Sequence, residues 1–210
     1  MNIFLKLLIS FKKNRIIIVF PEDKSDLVDL VSSVFNNYIE NEKIKLPLNK
    51  FNCTVFLKNK VAIIEPDIKN KKELKDLKFL IENSVSPVLI LEKEVNESDL
   101  RKIMPLIKAV NRKGEVITDF KTSKKIVNTK RRIFKIGVNK ESDLWISDLN
   151  VSDNTNFKIN HHGDTVPFWL GKNLTQNKIK SVLFAIATGM AFNLNLVEMS
   201  QNLKRKIEES

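Results

Sequence analysis

The chain has 210 residues, 42% of them hydrophobic, which is enough to build a core and to fold alone as one domain. Its formal charge of +11 favours acidic partners without naming one, and its one cysteine, Cys53, excludes an internal disulfide. The basic residues are spread along the sequence. The densest run, KTSKKIVNTKRRIFK at 121 to 135, is interleaved with apolar residues as in a solvated helix and strand, so nucleic-acid binding is expected to be weak and non-specific.

MNIFLKLLISF is apolar but too short to span a bilayer, and no small-residue cleavage site follows it; it reads as a docking amphipathic helix. RIIIVF (15 to 20) is a β-branched run of the kind buried on both sheet faces. Leu27, Leu30, Val31 and Val34 then recur at helical spacing. CTVFL, where Cys53 reads as a small buried hydrophobe in a reducing cytoplasm, and VAIIE (61 to 65) are strands. KNKKELKDLKFLIEN carries Leu74, Leu77, Leu80 and Ile81 on one helical face, and PVLILE (87 to 92) is a further buried strand. ESDLRKIMPLIKAV is expected to be a helix started by Ser98 and interrupted at Pro105, and Gly114 leads into the strand EVITDF.

Strands alternating with periodic helices predict an α/β fold, a mainly parallel sheet with flanking helices, through residues 1 to 130. The segments RIFKIGV, SDLWISDLNV, NFKIN and TVPFWL are short strands joined by Asn, Asp and Gly turns, predicting a small antiparallel annex over 131 to 170. Residues 171 to 210 hold two C-terminal helices. The first is nearly all apolar from Val182 to Phe192 and closed by Asn193; the second, LVEMSQNLKRKI, is amphipathic with a cationic last turn.

Taken in order, these elements resemble the central, ATP-binding domain of the Mur ligases, ATP-dependent amide-bond-forming enzymes of peptidoglycan precursor synthesis. The stretches that carry the resemblance are IFKIGVNKESDLWISDLN, NFKINHHGDTVPFWL and KIKSVLFAIATGMAFNLNLVEMSQNL, with VAIIEPDIKN before them. EKIKLPLNKF (42 to 51) is similar to a stretch typical of the branch that adds D-alanyl-D-alanine.

The resemblance implies a phosphate loop, G-T/S-x-G-K-T-T, whose backbone N–H groups cradle ATP because glycine permits close approach. Here the matching stretch is FPEDKSDL: both glycines are gone, Pro21 lacks an N–H, and Glu22 and Asp23 add negative charge. Lys24 and Ser25 match the family's Lys-Thr after a one-residue deletion, as a vestigial phosphate site or as a solvated lysine and a helix N-cap. Glu65 matches a magnesium-binding carboxylate, and Lys102 falls nearest the family's carbamylated lysine, although Met104 stands where a glutamate is usual. The family's asparagines at the start of the Ala-rich helix fall on Lys178 and Ser181.

Successive strand residues point to opposite faces, so His161 and His162 are not expected to share a metal and with Gly163-Asp164 read as a hairpin tip. Trp145 and Trp169 read as core aromatics. ATP and magnesium binding is thus expected to be weak or lost. An active family member also needs an N-terminal domain for the UDP-sugar peptide and a C-terminal domain for the incoming amino acid, and 210 residues leave room for neither. Three readings follow. The chain is an inactive pseudo-ligase or scaffolding partner that meets other ligase domains or cell-wall synthesis proteins, the nucleotide-binding part of a split ligase, or a basic module for nucleic acid or another polyanion.

Overall fold

The computed structural model describes residues 15–22, 26–36, 38–44, 60–127 and 129–209. Lys24, Ser25, Cys53, the strand read over CTVFL and the apolar N-terminal stretch lie outside them. The chain order is β1 (Arg15–Phe20), α1 (Asp26–Val34), β2 (Asn41–Ile44), β3 (Val61–Ile64), α2 (Lys71–Glu82), β4 (Val88–Leu91), α3 (Glu97–Ala109), β5 (Glu115–Asp119), α4 (Phe120–Lys125) and β6 (Ile133–Gly137). Then come β7 (Leu144–Val151), β8 (Thr155–His161), β9 (Asp164–Trp169), α5 (Gln176–Ala191) and α6 (Leu196–Glu209).

The nine strands among the described residues form one sheet in the order β2-β3-β1-β4-β5-β6-β7-β8-β9. Alternate residues of the wholly apolar strands feed two cores. Ile17, Val19, Ile63 and Ile90 pack with α1, α5 and α6 on one face. Ile16, Ile18, Ile64 and Leu89 pack with α2 and α3 on the other. The α/β fold with an antiparallel annex is therefore present, but the annex begins later than the sequence suggests. β6 pairs in parallel with β5, and β7 in parallel with β6. Only β7-β8 and β8-β9 are antiparallel. Short strands with turn residues between them carry no sign of direction; α4 supplies the crossover that brings β6 back parallel to β5.

Two helix details also differ. The N-cap of α3 is Asn96, whose side chain accepts from the Asp99 N–H at 2.9 Å, rather than Ser98. Pro105 sits inside the continuous helix. Its ring is exposed, so the Arg101 carbonyl that loses a partner faces water instead of the core. Replacing Pro105 with alanine restores that hydrogen bond and is expected to raise stability by about 1 kcal/mol or more, read from urea melts. A fall in stability would show that the ring fills a needed contact.

α5 is buried along most of its length and ends at Ala191 with Phe192 as its C-cap, and Asn193 just beyond closes it as expected. Asn193 takes a left-handed φ of 58°, and Leu194 N–H donates back to the Gly189 carbonyl at 3.0 Å, closing the helix with a 6→1 bond. Among the described residues no helix is long and apolar enough to cross a membrane.

Candidate functional site

β1 lies between β3 and β4, so the chain leaves it toward one side of the sheet through α1 and reaches β4 on the other side through α2. Ligands of open α/β sheets sit outside the carboxyl ends of the strands at such a reversal. The side chains here come from the ends of β1, β3 and β4 and from the first turns of α5.

Glu92, one residue past β4, is 2% exposed. Its Oε2 accepts from the Glu22 N–H at 3.0 Å, and its Oε1 lies 2.5 Å from the Ser181 hydroxyl. Ser181 Oγ is also 3.1 Å from the Asn177 carbonyl. A hydroxyl has one hydrogen, so both contacts are fully made when a protonated Glu92 donates to Ser181 and Ser181 donates to Asn177. Burial pushes the Glu92 carboxyl up from its ordinary value, while a Ser181 hydroxyl turned to donate to it, the Glu22 N–H and Lys180 pull the other way. The flanking charges are paired. Lys180 Nζ meets Glu22 Oε2 at 2.9 Å, and Lys178 Nζ meets Asp26 Oδ2 at 2.8 Å. α5 is thereby tied to both described sides of the β1-α1 junction.

Beside this network lies a cleft of about 470 Å³ whose walls include Pro21, Glu65, Asp67, Lys93 and Asp99. Glu65 stands at the end of β3, on this cleft. Lys102 does not line it; its ammonium is 3.0 Å from Oδ1 of Asp99, which does.

By sequence the chain matches no family model and no curated protein. By structure it is similar to MurF ligase from Thermotoga maritima, solved in complex with ADP, with a TM-score of 0.72 at 11% identity over 93% of this chain and 50% of that one. MurF from Acinetobacter baumannii gives 0.70 at 11% identity, covering 96% of this chain and 49% of the other. The UDP-N-acetylmuramate:L-alanyl-gamma-D-glutamyl-meso-diaminopimelate ligase from Neisseria meningitides gives 0.61 at 10% identity, covering 95% and 69%. The fold is Mur ligase-like. The chain spans about half the length of the MurF structures it matches.

In this Mur ligase-like frame, the described groups at the β1 switch point are engaged with one another. Pro21 has no N–H, the Glu22 N–H is spent on Glu92, and the two nearby lysines of α5 are held by carboxylates. Among the described residues no three His, Cys, Asp or Glu side chains are placed to hold a metal ion. Lys178 and Ser181, aligned in sequence with family asparagines, do face the junction. The sequence reading missed Glu92, Asp26 and Lys180. The available signal was positional: Glu92 ends an apolar strand next to β1 just as Glu65 does on its other side.

Three further expectations change. His161 and His162 do not diverge; their ring centroids are 4.0 Å apart. His162 and Gly163 have φ of 48° and 92°, the two positive values of a tight type I′ turn, so the period-two rule stops at His161. Trp169 is 59% exposed on the edge strand β9, not in the core. Trp145 is half-buried, with the Lys140 ammonium 5.6 Å from its ring centroid.

Proposed function

We propose that this chain is a catalytically inactive, Mur ligase-like central domain, a pseudo-ligase or scaffolding partner of cytoplasmic peptidoglycan precursor synthesis. The observation that carries this reading is the pairing of Lys178 with Asp26 and of Lys180 with Glu22. Carboxylates of the chain itself occupy the cations at the switch point, the end of the sheet where open α/β folds take their ligands. A phosphate would have to displace them, besides lacking the glycine-lined N–H cradle absent from FPEDKSDL. Lys24 and Ser25 are accordingly read as remnants of a phosphate loop, and Glu65 and Lys102 as remnants of metal-site positions.

Isothermal titration of the chain with Mg-ATP is expected to give a dissociation constant no tighter than about 1 mM, since losing two charge-assisted bonds to phosphate, each about 1.5 to 3 kcal/mol, takes micromolar affinity toward millimolar. The competing reading is the nucleotide-binding part of a split ligase, favoured by Glu65 and Asp67 on one cleft at the switch point. A micromolar constant abolished in Lys24→Ala would establish that reading and remove the first.

A further inference from the structure

A second cleft, of about 760 Å³, opens at the opposite end of the sheet, where β4, β5 and β6 begin. Its rim carries Arg112, Lys113, Arg132, His161 and His162, drawn from the turn before β5, the strand entry to β6 and the β8-β9 turn. Its apolar wall includes Val88, Phe134, Met190 and Leu194. We propose that this cleft binds a phosphorylated small molecule, with the phosphate on the basic rim and an apolar or aromatic body against the wall.

The rim is held in place before any ligand arrives. Asn111 Oδ1 accepts from the N–H groups of Lys113 and Gly114 at 2.9 and 3.0 Å, and its amide donates to the Ser84 and Val85 carbonyls. That locks the turn presenting Arg112 and Lys113. Arg132 is anchored through one nitrogen, its Nε lying 2.6 Å from Oε1 of the buried Glu115. This is an ion pair made through Nε alone, and the side chain that makes it is 68% exposed, with its terminal nitrogens in no hydrogen bond or ion pair among the described residues. Glu115 is in this account a positioning residue: a buried carboxylate at the floor of a cationic rim orients the guanidinium toward the opening.

His161 Nδ1 lies 2.8 Å from the Asp143 carbonyl. A carbonyl oxygen only accepts, so Nδ1 carries the hydrogen and Nε2 remains for a ligand. The three cations alone offer more N–H donors than the two oxygens of a carboxylate can use, which selects a phosphate group. The volume exceeds that of an inorganic anion, which selects an organic body. Arg131 takes no part, because its Nε and Nη2 donate to the Lys108 carbonyl at the end of α3.

The test uses phenyl phosphate as probe on the full chain, at about 50 mM salt where phosphate contacts are least screened. The chain's two histidines both line this cleft, so imidazole NMR reads it without assignment ambiguity. Titration is expected to move both imidazoles with a submillimolar constant, about tenfold weaker in Arg132→Ala, weaker again for inorganic phosphate, and unchanged in Lys78→Ala on α2. Equal affinity in Arg132→Ala, equal binding of phenylacetate, or absence of binding would each overturn the proposal. So would tight binding of a single-stranded oligonucleotide without binding of phenyl phosphate, which would make the rim a nucleic-acid surface.

Discussion

Glu92→Gln is expected to gain stability over the parent protein as pH rises from 4 to 8. The Glu92 carboxyl is raised above its ordinary value of 4.5, first by burial. A carboxyl raised in the folded state binds its proton more tightly there than in the unfolded chain. Its neutral form is compatible with the fold below 4.5, and stability falls as pH climbs from 4.5 through the folded-state value, each raised unit amounting to about 1.4 kcal/mol. A glutamine keeps both contacts: its oxygen accepts from the Glu22 N–H, and its amide donates to Ser181 Oγ. Glu115, also raised chiefly by burial and against the pull of Arg132, contributes its own slope to both proteins, so it cancels in their difference. Melting temperatures measured in parallel across this range check the point. A difference that stays flat with pH would mean that Glu92 is ionised in the fold and that the proton chain through Ser181 to Asn177 is wrong.

Gly114→Ala is expected to be the most damaging glycine substitution, costing about 3 kcal/mol or more in urea unfolding. An added Cβ would sit 2.5 Å from the Pro87 carbonyl oxygen, 2.7 Å from a Val110 methyl and 2.8 Å from the Pro87 ring. Backbone cannot step aside there, because the same carbonyl accepts the Glu115 N–H at 2.9 Å to begin the β4-β5 pairing. Gly163→Ala makes the useful contrast. No atom lies within 4 Å of its Cβ, but its φ is 92°, so only the left-handed conformation is charged, at roughly 1 to 2 kcal/mol. Equal costs at the two sites would show that the approach of Gly114 to Pro87 relaxes easily.

The framework was legible in the sequence because burial on both faces writes itself as uninterrupted apolar runs. RIIIVF, VAII and VLIL are β1, β3 and β4 almost to the residue, and the apolar stretch that became α5 ends where Asn193 ends it. Polar architecture was less legible for a physical reason. Glu92 is written as a charge at a strand end, where water is the ordinary partner; only the packing of α5 across β4 buries it. Lys178 finds Asp26 from the far end of the chain, and the five basic residues of the second cleft come from separate elements with no shared motif. His162 was misplaced because alternation assumes that the strand continues, and the chain turns there instead. Pro105 breaks a helix on paper, but at an exposed position water hydrates the carbonyl it releases and the helix runs on.

The joining of parallel and antiparallel strands in one sheet divides the chain entropy of assembly unequally. β7, β8 and β9 are neighbours in sequence, with Val151 paired to Thr155 and His161 to Asp164, so these loops close over a few residues. β1 must instead find β3 at Arg15↔Val61 and β4 at Ile17↔Val88. Each doubling of a closed loop costs about 0.6 kcal/mol more, and such contacts give nothing back until closure is complete. The annex is in this sense the local, quickly closed end of the sheet, and the switch point, where Glu92 and α5 finally meet, is the last part whose contacts repay their search.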